Sequence, residues 1–355
     1  MWLESGLFVP CWKIRKRQFI IIDEDFSRKI FHRTDRYILV STNRSTHLFE
    51  IDDSGSTTTI TPVDSATIQS LVTTEATLAF SNLARRSSVG GSSVYKNSPL
   101  VVQVVASGAR LLKSNTAFGG YELVAEYPVL SNVPYGQRPL EVVAASANAS
   151  QLVMAASGGK LILWRLGDNV DALENIAGCQ RNEGPEISAV SCVPLNTTKR
   201  TSPTIIVSYW QSNTTEILQV SPKGLESVYK SPTLPALVRS VLLYNFGSDT
   251  NPKGTDYHPY LLAGLANGTV ASFRWKDKQL TDKKIIPLGH APVNLTPCQV
   301  EGRHAVFAAG NRATVLSFEN KRLVHSPIML KASHTNFSGE FGIQRTSRTS
   351  LLRRV

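Results

Sequence analysis

Six stretches of the chain repeat one pattern: a short apolar strand, a small-residue turn and a second apolar strand. They read RYILVSTNRSTHLFEI from Arg36, PLVVQVVASGARLLK from Pro99, QLVMAASGGKLILWRL from Gln151, TIIVSYWQSNTTEILQV from Thr204, PYLLAGLANGTVASFRW from Pro259 and HAVFAAGNRATVLSFEN from His304. Their starts lie 63, 52, 53, 55 and 45 residues apart. One such unit cannot bury both of its apolar faces alone, and an all-β unit recurring about every 40–50 residues is the signature of a β-propeller. The expected fold is therefore all-β: a single, degenerate, WD-like β-propeller of seven blades. Six recognisable repeats fit a ring of seven in which one blade is poorly marked or completed by the termini; six blades is the alternative. The Trp-Asp and Gly-His pairs of WD repeats are missing.

Turn chemistry and spacing fill in the outline. Ser157-Gly158-Gly159, Asn267-Gly268 and Gly310-Asn311 are expected to supply the positive φ of tight hairpins. Further strands are expected over Thr57–Thr61, Thr67–Val72, Ala76–Phe80, Tyr121–Tyr127, Leu140–Ala145, Ile187–Val193, Leu225–Tyr229, Leu237–Asn245, Lys284–Leu288 and Val293–Val300. Trp164, Trp210 and Trp275 sit at comparable points and read mostly as packing between blades. Two stretches read as exposed loops, the Ser/Gly-rich Ala84–Ser98 and the Gly247–His258 segment. No helical period is sustained for ten residues, so helix content should be very low. The chain divides into a divergent segment over 1–35, a propeller over 36–331 and a basic tail over 332–355, expected to be disordered.

Composition narrows the function. With 42% hydrophobic and 18% charged residues among 355, the body is globular. No segment reaches the roughly 18 unbroken apolar residues that span a bilayer, and the apolar run Phe19–Ile22 is too short for a secretion signal. Cys11, Cys179, Cys192 and Cys298 are spread apart without a CxxC pair, which predicts reduced thiols and an intracellular protein. The net charge of +11 is uneven: from Lys321 onward seven Lys/Arg face one acid, Glu340, contributing +6. Such a tail is the one place where weak nucleic-acid contact is expected, against the plainer reading of a solvated end.

The chemistry-bearing motifs are missing. The sequence has no GxxxxGK[ST] loop, no HExxH, no GxSxG and no close His pair. Asp23-Glu24-Asp25 and Asp52-Asp53 stand near turns, where carboxylates most often cap or solubilise. No catalytic, cofactor-binding or metal-binding residue is assigned, and no small-molecule substrate or membrane contact is expected.

The C-terminal third carries a specific likeness. Tyr260–Leu262, the Asn267-Gly268 hairpin, Leu280-Thr281-Asp282-Lys283-Lys284, Leu288-Gly289-His290-Ala291-Pro292-Val293 and Arg322-Leu323-Val324 resemble successive motifs of the second propeller of the damaged-DNA-binding protein large-subunit family, the adaptors of cullin–RING ubiquitin ligases. Weaker similarity runs back to about Tyr37. Two sister families are similar as well, the large propeller subunits of splicing factor 3b and of the cleavage and polyadenylation specificity factor. Family members carry three propellers, the outer two clamping receptors and the middle one docking the cullin. The resemblance implies a non-enzymatic, nuclear interaction scaffold that docks a cullin and is linked to DNA repair. Its alternative is a scaffold for splicing or polyadenylation subunits with nucleic-acid association. A Glu opening one strand and a Trp ending the next, which face the cullin in the family, match Glu186 in PEISAV and Trp210 in VSYWQS. The competing reading packs Trp210 between blades and leaves Glu186 a solvated strand-end acid.

Overall fold

A computed structural model of the chain describes residues 7–8, 21–22, 30–33, 37–41, 45–52, 59–63, 70–89, 92–114, 120–129, 140–195, 199–300 and 302–328. A two-stranded ribbon pairs β1 (Leu7–Phe8) with β2 (Ile21–Ile22). Blade 1 holds β3 (Ile30–Arg33), β4 (Tyr37–Ser41), β5 (Thr46–Asp52) and β6 (Thr59–Pro62). Blade 2 holds β7 (Ala79–Val89), β8 (Ser92–Val105), β9 (Gly108–Ser114) and β10 (Tyr121–Pro128). Blade 3 holds β11 (Val142–Ala147), β12 (Gln151–Ala156), β13 (Lys160–Leu166) and β14 (Leu173–Arg181). Blade 4 holds β15 (Ile187–Ser191), β16 (Thr204–Tyr209), β17 (Thr215–Ser221) and β18 (Gly224–Lys230). Blade 5 holds β19 (Val238–Asn245), β20 (Pro259–Leu265), β21 (Thr269–Lys276) and β22 (Gln279–Pro287). Blade 6 holds β23 (Asn294–Val300), β24 (Arg303–Ala309), β25 (Thr314–Glu319) and β26 (Arg322–Pro327).

The all-β propeller is as expected, but the blade count is corrected. Among the described residues there are six four-stranded blades, not seven. Each blade is four consecutive antiparallel strands of one stretch of chain, and no described sheet joins strands from the two ends. The six repeats are thus one blade each, supplying its second and third strands. The first strand of each blade lines up against the first strand of the next, from β3 to β23.

Strand alternation explains why the repeats are apolar nearly throughout. Successive side chains point to opposite faces of a strand, and here both faces meet a neighbouring blade. In β12, Leu152 and Met154 face blade 2 while Val153 and Ala155 face blade 4. In β20, Leu262 joins the core with blade 6, and Leu261 and Ala263 the core with blade 4. Trp164 and Trp275 fill equivalent places on third strands, each edge-on to a tyrosine of the preceding blade: Tyr127 at 5.0 Å and Tyr229 at 6.0 Å between ring centres.

Other expectations met the structure as follows. Helix is limited, among the described residues, to the single 3-10 turn Ser157–Gly159, and none is long and apolar enough to cross a membrane. Gly158, Gly159 and Gly268 have φ of +77°, +70° and +81°. Gly310 and Asn311 are not left-handed; their turn is held by Asn311 Oδ1, which accepts the His290 amide at 2.8 Å and the Ala291 amide. Left-handed pairs instead close two hairpins between third and fourth strands, at Asp277-Lys278 and Asn320-Lys321, as two-residue turns require. The expected strand Thr67–Val72 lies partly outside the described residues, and residues 70–72 are not strand. The Gly247–His258 loop is pinned at its root by Asn245, whose side chain bonds the backbone of Gly247, Asp249 and His258.

The larger correction concerns Ala84–Ser98, which is not a loop. Here β7 and β8 continue past the blade as a two-stranded arm, paired from Ala84↔Asn97 to Val89↔Ser92. Only Leu100–Val105 of β8 also pair with β9, and a bulge between Asn82 and Ala84 marks where the arm departs. A ribbon held by backbone bonds needs no apolar face, so its Ser-rich text carried no strand signal. Residues 332–355, Cys11 and Asp23-Glu24-Asp25 lie outside the described residues.

Candidate functional site

Glu186 and Trp210 stand 24 residues apart in sequence and side by side in the fold. Glu186 ends the connector from blade 3 to blade 4, and Trp210 follows the last residue of β16. Ile187 pairs with Tyr209 across β15 and β16, and the Trp210 amide donates to the Glu186 carbonyl at 2.9 Å. The half-buried Glu186 side chain turns back toward blade 3, where its Oε1 accepts the Gly158 amide at 2.7 Å. It therefore caps the blade 3 turn.

Trp210 turns the other way. It is 42% exposed, the one aromatic among six exposed large apolar side chains of the described residues. It is not packed between blades as Trp164 and Trp275 are. The Arg239 guanidinium of blade 5 lies over its ring, 5.9 Å from the centroid, a cation–π contact of about 0.5–1 kcal/mol where exposed.

Arg239 was not legible as a site residue in the sequence, and its position has a clear physical origin. The register of β19 against β20 slips between Val238 and Ser240, which leaves Arg239 as a bulge residue. The same slip occurs at the entry of β11, at Val143, and of β15, at Ser188. A bulge re-aims one side chain out of the alternating pattern, and only in blade 5 is that side chain charged. Arg239 is half-buried, and desolvation lowers its pKa from the ordinary arginine value. It remains a cation at neutral pH. Among the described residues no carboxylate or carbonyl pairs with it. A partly desolvated guanidinium beside an exposed indole is suited to a partner offering a carboxylate next to an apolar side chain. The available sequence signal was one charge in the mostly apolar run VRSVLL.

The layer beneath is cross-linked by hydrogen bonds between blades 3 and 4. Tyr209 is buried, and its hydroxyl accepts from Arg181 Nη1 at 2.9 Å and donates to Glu216 Oε2. Arg181 also donates to the Gly159 carbonyl within blade 3 at 3.3 Å, so one guanidinium joins the blade 3 turn to Tyr209 of blade 4. Burial, reinforced by the hydrogen bond to the Glu216 carboxylate, pushes the Tyr209 pKa up to about 12 from 10.0. A raised folded-state pKa means stability is complete below pH 10 and is lost as pH climbs toward 12, by about 3 kcal/mol. Chemical denaturation of Tyr209→Phe across that window should show a shallower decline than the parent chain; an equal slope would remove Tyr209 from the account. Beside Arg181 a cleft of about 320 Å3 opens between β14 and β18, lined by Gln180, Glu216, Lys223 and Ser227.

Residues 11–342 match the family described as RSE1/DDB1/CPSF1 second beta-propeller. DNA damage-binding protein 1 of Oryza sativa subsp. japonica is 32% identical over 235 residues, covering 65% of this chain and 19% of that protein. DNA damage-binding protein 1a of Arabidopsis thaliana is 29% identical over 234 residues, again 65% of this chain and 19% of the relative. DNA damage-binding protein 1 of Drosophila melanogaster is 29% identical over 234 residues, 65% of this chain and 18% of the relative. The matched part of the chain spans about a fifth of the length of these curated relatives. Six blades of consecutive strands and a family match over most of the length lead to one assignment: the chain belongs to the RSE1/DDB1/CPSF1 second β-propeller family.

Proposed function

We propose that this chain is a non-enzymatic docking propeller that presents the Glu186–Trp210–Arg239 face to a cullin scaffold, in the nucleus and in service of a DNA-damage ubiquitin-ligase adaptor. The observation that carries the reading is the exposed Trp210 beneath an Arg239 guanidinium that pairs with no carboxylate or carbonyl among the described residues. An indole paired with an arginine on a rigid surface is the usual make-up of an interface hot spot. The relatives support this reading over the splicing or polyadenylation alternative, since those named above are DNA damage-binding proteins. The propeller unit over 36–331 belongs to the same proposal, although β3 begins blade 1 at Ile30 and the family match extends to 342. So does the basic tail as the source of any weak nucleic-acid contact, which would fall steeply with salt.

The test is a binding titration of the purified chain with a cullin N-terminal domain. Saturable binding at micromolar concentration is expected, and Trp210→Ala should weaken it about 30-fold, the equivalent of a 2 kcal/mol hot spot. Arg239→Ala should cost less than Trp210→Ala and leave the indole in place. No binding at micromolar concentration would sink the proposal. Affinity purification that returns splicing or polyadenylation subunits in place of a cullin would establish the sister reading.

A further inference from the structure

Two basic residues stand three and two positions ahead of a Ser or Thr at only two places in the chain. These are Arg85-Arg86-Ser87-Ser88-Val89 and Lys199-Arg200-Thr201-Ser202-Pro203. Basophilic serine kinases hold their substrate as an extended strand and read guanidinium groups at those positions through acidic pockets, with an apolar pocket for the next residue. The fold separates the two candidates. Ser202 is 1% exposed, donates from Oγ to the Thr204 carbonyl at 2.6 Å and is followed by proline. Ser88 lies in β7 near the far end of the arm, across from Ser93. On the opposing strand of the arm Val94, Lys96 and Asn97 are exposed and Tyr95 is half-buried.

Arg85 holds the root of the arm. Arg85 Nη1 donates to the carbonyls of Gly167 at 3.1 Å and Val170 at 3.0 Å, and its Nη2 pairs with Asp171. These groups belong to the turn between β13 and β14 of blade 3. A kinase that must engage Arg85 therefore competes with blade 3 for it. The pair is partly exposed on both sides, so the clamp is weak enough to open.

We propose that Ser88 is a phosphorylation site for a basophilic serine kinase, gated by the clamp that Arg85 makes on blade 3. The step moves the γ-phosphoryl group of MgATP. The bond from Ser88 Oγ to phosphorus forms as the bond from γ-phosphorus to the bridging oxygen breaks, ADP leaves, and the hydroxyl proton passes to the kinase's carboxylate base. The charged residues of 84–98 are Arg85, Arg86 and Lys96, all basic. Phosphoserine brings about −1.5 to −2, so the arm falls from +3 to near +1, enough to change which surface it meets.

The test incubates the full chain with the catalytic subunit of cAMP-dependent protein kinase and MgATP and maps the product by mass spectrometry. One phosphoryl group at Ser88 is expected, absent in Ser88→Ala and formed at least about tenfold more slowly in Arg85→Ala, which removes a charge-assisted contact. Opening the clamp with Asp171→Asn should raise the initial rate about threefold, the effect of losing one exposed ion pair. Three results would overturn the proposal: phosphate at Ser87 or Ser202 in place of Ser88, an unmodified chain when a synthetic peptide of residues 81–89 is modified, or an unchanged rate in Asp171→Asn.

Discussion

Gly159→Ala is expected to lower the unfolding free energy by about 3–4 kcal/mol and to displace Glu186 from its place beside Trp210. Gly159 has φ +70°, where an added Cβ strains the backbone, and that Cβ would press on the Gly184 carbonyl and lie 2.7 Å from the Pro185 oxygen. Both are backbone atoms of the short connector into β15 and cannot rotate away. The connector must move, and with it go the Gly184 amide bond to the Gly158 carbonyl at 3.2 Å and the Arg181 bond to the Gly159 carbonyl. Each such loss costs about 1 kcal/mol and the left-handed strain another 1–2. The neighbour is the control. Gly158 is also left-handed, at φ +77°, yet nothing lies within 4 Å of its Cβ position, so Gly158→Ala should cost about 1 kcal/mol from strain alone. Equal losses from the two variants in urea denaturation would show that the connector yields freely and does not hold Glu186 and Trp210 in place.

The second large effect is at the centre of blade 5. Leu261 and Leu262 are 1% and 0% exposed and lie on opposite faces of β20, in the blade 4–5 and blade 5–6 cores. Leu→Ala at a fully buried site costs about 3 kcal/mol in lost transfer energy and cavity. Because the two side chains share no core, the double variant should lose close to the sum, about 6 kcal/mol, within reach of the entire stability of many domains. Denaturant midpoints of the two single variants and the double variant measure this directly. A coupling above about 1 kcal/mol would mean that the faces relax together and that the blades are not independent layers.

The candidate site was only half legible. Glu186 and Trp210 were reached through family likeness, and pairing across β15 and β16 places them together. Arg239 was missed because a register slip between Val238 and Ser240 is a property of two strands paired, not of either one read alone. The arm at Ala84–Ser98 was missed for a related reason. Its strands are stabilised by each other's backbone, so hydropathy, which reports burial of side chains, is silent there. The expected seventh blade is not found among the described residues: there each blade is completed by four consecutive strands, and Leu7–Phe8 and Ile21–Ile22 pair only with each other.

Sequence by itself determined that this chain folds as stacked β-blades, because apolar strands of period two that are covered on both faces, interrupted by glycine turns, have few other ways to bury themselves. Tertiary structure alone decided that Trp210 is exposed under Arg239, that Ser202 is buried where Ser88 lies on the arm, and that Gly159 has no room where Gly158 does. Those outcomes depend on which backbone atoms of distant segments come within a few ångströms of one another, and hydrophobic pattern along a single strand holds no information about them.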